Sequence, residues 1–296
     1  QLKEGDKIGF SALTWSTNVM PIIQLGLVPV AVDCSPKTLN VMASDFLARL
    51  RQVKLRALFI TNALGFAGDL DAIRTVAHKQ RVLLLEDNCE SFGSRLPRGL
   101  AGNFGLASTF SFYVGHHMST IEGGMICTDD AELSEMLRIV RANGWGRNLK
   151  SAQQNKLRRK FKVKDEFESK YAFYDLGFNV RPTEITGFLG NNQLKGLQAS
   201  FDQRERNYLA LEKVIAVNPD LVLFEHAHIR KLSNFAVPIL CRTPALRDKY
   251  LARLVAAGVE VRPIIAGNIQ KQPFYSKYVS KLYPLPGSDF IHTCGF

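Results

Sequence analysis

Runs of consecutive apolar residues alternate with amphipathic stretches over the first half of the chain. In the first three runs the apolar residues are continuous rather than alternating with polar ones, which is typical of strands buried on both faces of a sheet. The predicted strands are residues 27–33, 57–61, 82–87, 108–113 and 124–128. Helical spacing between them predicts helices at 43–50 and 70–78, and Asp129 and Asp130 predict the start of another. This order predicts a doubly wound α/β unit with a mainly parallel sheet.

The pattern changes after Gly177. A long helical pattern runs from Thr183 to about Ile215, and strands at 221–224 and 234–240 and a helix at 244–257 are predicted after it. Pro182 restricts the preceding Arg181 to extended geometry, which favours a boundary there. We therefore predict a large α/β domain at residues 1–181, and a long helix with a smaller α/β domain at 182–296.

Composition narrows the class of protein. The 296 residues are 46% hydrophobic and 22% charged, as in an ordinary globular protein. No apolar stretch reaches the roughly 20 residues that span a bilayer, and the opening residues are polar, so we expect a cytoplasmic protein. The five cysteines are scattered singly, which argues against a disulfide framework and against a metal or iron–sulfur site.

The net charge of +11 allows several partners. The one dense basic run is residues 156–164, whose simplest interpretation is a solvated face. Attraction of a substrate that carries a diphosphate is the alternative. No nucleic-acid recognition motif accompanies the charge, so nucleic acid is not an expected partner.

The candidate chemistry lies where strands end. Ligands of open parallel sheets bind outside the carboxyl ends of the strands, where Asp87, Glu90 and His116 are predicted to lie. A carboxylate such as Asp87, at the end of an apolar strand, is costly to bury without a positive partner. One interpretation is a partner for the protonated pyridine nitrogen of pyridoxal phosphate (PLP) or pyridoxamine phosphate. The other, a cap on the following turn, is equally open for Asp87 alone.

The order of Asp87, Ser111, His116 and the run Glu122-Gly123-Gly124 resembles the DegT family of sugar aminotransferases, over nearly the whole chain. These are fold-type I PLP enzymes, so the resemblance implies the aspartate aminotransferase fold. It also implies that Asp87 pairs with the pyridine nitrogen and that Ser111 binds the cofactor phosphate.

The same resemblance assigns two further cofactor contacts. Glu90 would lie at the ring hydroxyl side of the cofactor, where many family members have glutamine. Trp15 would stack on the ring, although a core tryptophan is the alternative interpretation.

Asn179 and Arg181 match a stretch that, in the family, reaches into the active site of a neighbouring subunit. The resemblance implies that Asn179 points to the phosphate, that Arg181 contacts substrate, and that the protein is a homodimer with shared sites. The alternative is a simple turn at the domain junction.

His116 departs from the family, which has its Schiff-base lysine at this position. Histidine has no primary amine and cannot form that bond, but its reference pKa of about 6.5 suits it to moving protons. The run from His116 to Gly124 resembles a subgroup of nucleotide-sugar 3-dehydratases in which histidine replaces lysine. This implies PLP or pyridoxamine phosphate held without a covalent bond, glutamate as amino donor, and His116 as acid and base. For His117 both a substrate contact and a structural role are open, and the structural role is favoured.

One branch of this subgroup acts on CDP-linked sugars and holds an iron–sulfur cluster with cysteines that follow a Trp-Gly-Arg motif. Residues 144–152 contain that motif without a cysteine, which disfavours the branch. Residues 119–125 and 136–145 look most like the branch that removes the 3-hydroxyl from GDP-linked 4-keto-6-deoxymannose, in the synthesis of the O-antigen sugar colitose. An ordinary sugar aminotransferase, which would need a lysine at position 116, and an inactive binding homologue are the rival hypotheses.

Compared with the family, the chain is expected to be truncated at both ends. A Gly-Ser/Thr turn that would bind the cofactor phosphate through its backbone N–H groups is expected before Trp15, and the sequence does not contain it. Residues 291–296 are expected to be the start of an active-site strand. Weak cofactor binding is the expected consequence.

Overall fold

The five predicted strands belong to a six-stranded sheet in the computed structural model, which describes residues 2–296. Its strands run in the order β2-β1-β3-β4-β7-β8; all neighbours are parallel except β7 and β8. A separate hairpin consists of β5 and β6. The strands are β1 (Lys7–Ser11), β2 (Val28–Val32), β3 (Ala57–Thr61), β4 (Leu83–Asp87), β5 (Arg95–Leu96), β6 (Gly99–Leu100), β7 (Ala107–Ser111) and β8 (Gly124–Cys127).

The described residues also contain eleven α-helices and four 3-10 turns, most of which follow the last strand. The helices are α1 (Met20–Gln24), α2 (Ala43–Gln52), α3 (Leu70–Gln80), α4 (Ala131–Val140), α5 (Ser151–Lys160), α6 (Glu166–Ser169), α7 (Glu184–Leu194), α8 (Leu197–Ala216), α9 (Pro244–Ala256), α10 (Pro273–Tyr278) and α11 (Pro286–Cys294). The 3-10 turns are Ser16–Asn18, Ala63–Gly65, Gly146–Asn148 and Ile269–Lys271. None of these helices is long and apolar enough to cross a membrane.

Strand β1 was not predicted from the sequence. Only Ile8 and Phe10 give it apolar character, yet it lies between β2 and β3 with Phe10 fully buried. Position 9 has room only for glycine, because the Cβ of any other residue would lie 2.8 Å from Leu55 Cδ1. The strand is therefore specified by packing rather than by its own pattern.

Residues 291–296 do not form the expected strand as a whole. Residues 291–294 are the end of α11, which begins where Asp33, just after β2, accepts hydrogen bonds from the backbone N–H groups of Gly287 and Ser288 at 2.9 and 2.8 Å. Only the last two residues pair in an extended manner, with Ile239 and Leu240. Ile291 and Cys294 then pack into the same buried cluster as strands β2 and β3. The carboxylate cap and this packing favour a helix over a strand.

Other parts of the second half also differ from the prediction. The long helix is divided into α7 and α8 at Lys195 and Gly196. Residues 221–224 and 234–240 contribute only isolated bridges, from Leu221 to Cys241 and from Leu240 to Gly295. Pro238, which lacks an N–H group, limits pairing in this segment. The main buried cluster contains residues from both sides of the 181/182 boundary, and the two-domain division remains a prediction.

Candidate active site

Three neighbouring strands end at the same edge of the sheet and place polar side chains there. The register pairs Thr61 of β3 with Asp87 of β4, and Asp87 with Thr109 of β7. Asp87 is almost fully buried. The sequence-based expectation of chemistry at this edge therefore has a defined centre, the Asp87 carboxylate.

The Asp87 carboxylate receives only neutral hydrogen-bond donors. Its Oδ2 accepts from Asn18 Nδ2 at 2.6 Å, and its Oδ1 accepts from the backbone N–H of Cys89 at 3.0 Å and the hydroxyl of Thr109 at 3.4 Å. Among the described residues no Lys or Arg lies within ion-pair distance of Asp87. Asp87 does cap the turn after β4, but a buried anion without a cation also suits a positively charged ligand group.

Glu90 lies in the turn that follows β4. Its Oε2 accepts a hydrogen bond at 3.0 Å from the backbone N–H of Leu64, a residue in the left-handed region with φ of 55°. Burial, together with the charge of Asp87, raises the pKa of Glu90 to about 7. Near neutral pH this carboxyl group can therefore either donate or accept a hydrogen bond.

His116 is half-buried in the loop after β7. Its backbone N–H donates to Tyr113 O at 3.0 Å, and its ring packs against Phe235, with the centroids 5.2 Å apart. Nδ1 of His116 is buried and has no partner among the described residues. Burial lowers the pKa of His116, an effect that the negative charge of Asp87 partly offsets. At neutral pH the ring is therefore uncharged and able to accept a proton.

His117 has a different environment. It is buried, and its Nε2 lies 2.9 Å from Ser233 O, while its ring packs against Phe201 and Phe235. Burial lowers its pKa to about 4. A neutral histidine held in this way is poorly placed to contact substrate, so the geometry favours the structural alternative over the substrate-binding role for His117.

Ser111 and Trp15 flank this group. Ser111 is the last residue of β7, is partly exposed, and its Oγ accepts a hydrogen bond from the backbone N–H of Tyr113 at 3.2 Å. Trp15 is 56% exposed, which excludes the core-tryptophan interpretation. Its carbonyl accepts from the backbone N–H of Asn18, whose side chain reaches Asp87. An exposed indole thus lies one turn from the buried carboxylate.

Asn179 and Arg181 lie outside this group. They are exposed, Arg181 Nε donates to Asn179 Oδ1 at 3.1 Å, and Asn179 pairs with Ala142 at the end of α4. No hydrogen bond in the described part of the chain joins either residue to Asp87 or His116. In a single chain these two predicted residues are therefore not brought to the carboxylate.

The residues at the edge of the sheet fit a pyridoxal-type ring. A buried carboxylate without a cation suits a pyridinium nitrogen, the unpaired His116 Nδ1 suits proton transfer, and the exposed Trp15 offers a face for stacking. Sequence reasoning missed Asn18 and Phe235. The spacing of Thr14 and Asn18 after β1 was the available signal, but β1 itself was not recognised.

Comparison with known proteins shows to which family this chain belongs. The profile of the DegT/DnrJ/EryC1/StrS aminotransferase family matches residues 1–294. The chain belongs to this family. The predicted α/β fold of PLP-dependent aminotransferases, with a mainly parallel sheet, is confirmed, and family members depend on PLP.

Individual relatives agree with this. A GDP-4-keto-6-deoxy-D-mannose 3-dehydratase from Yersinia pseudotuberculosis is 35% identical over 278 residues, which are 94% of this chain and 70% of the relative. The structure of the Escherichia coli enzyme of that name with bound hydrated PLP is 32% identical, with a TM-score of 0.88, over 99% of this chain and 75% of the other. A mutant of that dehydratase with bound GDP-perosamine matches with the same TM-score and identity, over 99% and 76% of the two chains.

Proposed function

We propose that this protein is a PLP-dependent nucleotide-sugar 3-dehydratase, a lyase that removes the 3-hydroxyl group of GDP-4-keto-6-deoxymannose with glutamate as amino donor. The observation that carries the proposal is the position of His116. By the sequence resemblance it takes the place of the family's lysine, and in the structure its half-buried ring has an unpaired Nδ1. The 35% identical dehydratase from Yersinia pseudotuberculosis supports the same reaction and substrate.

The cofactor, when bound, supplies an amine that can condense with a keto group and a ring that can take up electrons. Around it, Asp87 would hold the proton on the ring nitrogen and Ser111 would bind the phosphate. Glu90 would lie beside the ring hydroxyl, and Trp15 would cover one face. Because Asp87 is buried among neutral donors, the pairing between its charge and the ring nitrogen is little screened by water.

His116 would move the protons of the reaction. A neutral imidazole can remove a proton from the 4′ carbon of the cofactor and return it to the hydroxyl that leaves carbon 3 of the sugar. It cannot form the covalent bond that a lysine amine would form, so it does not offer the route by which the family's lysine completes amine transfer. General acid and base assistance of this kind is worth about 10² to 10⁴ in rate.

We propose further that the active protein is a homodimer in which Asn179 and Arg181 reach the partner's site. Residues 167–188, here called the apolar segment, expose many large apolar side chains. These are Phe167, Tyr171, Phe173, Leu176, Phe178, Val180, Ile185 and Phe188. An exposed apolar surface of this extent is typical of a protein interface, and it surrounds the two predicted residues. The cytoplasmic location and the role in colitose synthesis remain predictions.

Two parallel incubations separate the hypotheses. The chain is mixed with PLP, glutamate and either GDP-4-keto-6-deoxymannose or the CDP-linked 4-keto-6-deoxy sugar, and ammonia and sugar products are measured. A 3-dehydratase releases ammonia and yields a sugar without its 3-hydroxyl group. Formation of an amino sugar would support an aminotransferase instead, and turnover only of the CDP-linked sugar would support the other branch. Binding without turnover would support an inactive homologue.

A further inference from the structure

A buried polar group lies behind Asp87. Its members are Thr14 and Asn18, which follow β1, Thr61 at the end of β3, and Asp87 at the end of β4. All four are at most 6% exposed. Burying so many polar side chains is costly unless each one has a hydrogen-bond partner, and here they bond to each other.

Asn18 is the centre of this group. Its Nδ2 lies 2.6 Å from Asp87 Oδ2, 2.8 Å from Thr14 Oγ1 and 2.9 Å from Thr61 Oγ1. The two threonine hydroxyls lie 2.6 Å apart and bond to each other. An amide oxygen in place of Nδ2 would face the carboxylate oxygen at 2.6 Å, so the contacts fix which end of the amide points at Asp87.

The two oxygens of Asp87 are held from different sides. Asn18 donates to Oδ2, and the backbone N–H of Cys89 and the hydroxyl of Thr109 donate to Oδ1, so donors on both oxygens define the plane of the carboxylate. All three donors are neutral, and none of them supplies a positive charge to pair with the carboxylate. The charge of the carboxylate thus remains available to a ligand.

We propose that Asn18 is a positioning residue that fixes the plane of the Asp87 carboxylate, so that Asp87 can hold the proton on the ring nitrogen of the cofactor. Asn18 does not touch the cofactor itself, and Thr14 and Thr61 hold its amide in place. The inference rests on the proposed function for the role of Asp87. Asn18 would then act through Asp87 on how strongly the cofactor ring attracts electrons.

Loss of this donor has a defined direction. Without Asn18, Oδ2 of Asp87 loses the donor that fixes its position, so the carboxylate is less well aligned with the ring nitrogen. The nitrogen then binds its proton less tightly. The charge of Asp87 also interacts with Glu90, Cys89 and His116. These three residues are the same in the wild type and in the variants, so they do not cause a difference between their titrations.

The test is a pH titration of the absorbance spectrum of bound PLP, which reports the protonation of the ring nitrogen without turnover. In Asn18→Leu, which removes the donor and keeps a similar volume, the proton affinity of the nitrogen is expected to fall about tenfold or more. Thr61→Val, a milder change, is expected to shift it in the same direction by a smaller factor. This second variant keeps the test decisive if Asn18→Leu does not fold.

Asn40→Leu is the matched control. Asn40 is equally buried, and it bonds to Ala63 N and Thr38 O rather than to Asp87. Its replacement is expected to lower stability without moving the titration. A titration in Asn18→Leu and Thr61→Val that equals the wild type overturns the inference and leaves the proposed function intact. Failure of the wild-type protein to bind PLP overturns both.

Discussion

Side-chain burial differs between two regions of the molecule, the edge of the sheet around Asp87 and the apolar segment of residues 167–188. The first buries polar groups: Asp87, Asn18, Thr14 and Thr61 are hidden from water and bonded to each other. The second exposes apolar ones, with Leu176 at 90% and Phe188 at 73%. Each arrangement is unfavourable in an isolated chain unless a further group contacts it.

The kind of missing contact differs between the two regions. A buried anion with neutral donors calls for a small, positively charged group, as a protonated pyridine ring has. A wide apolar surface calls for another apolar surface, as a second copy of the chain has. We therefore interpret the edge of the sheet around Asp87 as the candidate cofactor site and the apolar segment as the proposed subunit interface.

For the edge of the sheet around Asp87, the largest effect is expected from His116→Asn. This change keeps a polar side chain of moderate size but removes the group that moves protons, so kcat for dehydration is expected to fall on the order of 10²- to 10⁴-fold. Affinity for PLP, measured by fluorescence quenching, should change little. Dehydration at the wild-type rate would show that His116 does not move the proton.

The apolar segment is tested by replacing Phe178 and Phe188 with glutamate in one variant. Each aromatic side chain buried at an interface contributes about 2 kcal/mol, and a homodimer of this variant carries four substitutions. The dissociation constant of the dimer is therefore expected to rise on the order of 10⁶-fold. Light scattering at several concentrations measures this. Val217→Glu, an equally exposed apolar position at the end of α8, is the control and should leave the dimer intact. A wild-type chain that is monomeric at all concentrations would contradict the proposal that the apolar segment is a dimer interface.

The smallest effect is expected for His117→Gln. Burial lowers the pKa of His117 to about 4, below its unfolded value of about 6.5, so folding excludes a proton from it. This destabilisation is absent above pH 6.5 and grows as the pH falls toward 4. Glutamine can keep the hydrogen bond to Ser233 but does not titrate. Between pH 7 and pH 4 the free energy of unfolding of the wild type should therefore fall by about 2 to 3 kcal/mol more than that of the variant.

Urea titrations of both proteins at the two pH values measure this difference. A variant that loses the same stability as the wild type would mean that His117 stays neutral for another reason. A large loss of activity in His117→Gln at pH 7 would restore the substrate-binding role for this residue.

Much of the sheet could be predicted because its strands carry their own signal. The runs at 57–61 and 82–87 are continuous and apolar, and they appear as β3 and β4 within one residue. Strand β1 and helix α11 could not be predicted in this way. Position 9 needs glycine because Leu55 packs over it and leaves no room for a side chain. Helix α11 begins where Asp33, more than 250 residues earlier, accepts hydrogen bonds from its first N–H groups.

The same limit applies to the site. Two of the candidate residues that the sequence predicts, Asp87 and Ser111, end strands, and the other two, Glu90 and His116, lie in the segments that follow. Asn18 could not be predicted, since its importance depends on a contact with Asp87 across three strands. The difference between His116 and His117 also arises from tertiary packing, because only His117 meets the carbonyl of Ser233.

Reduction with borohydride tests whether an imidazole replaces the family's amine and leaves the cofactor without a covalent bond. Wild type and His116→Lys are each incubated with PLP, reduced, and analysed by mass spectrometry of their peptides. We expect no stoichiometric pyridoxyl adduct on the wild type. We expect one at position 116 in the variant, together with loss of dehydration. A stoichiometric adduct on any lysine of the wild type, or dehydration at the wild-type rate in His116→Lys, would contradict this expectation.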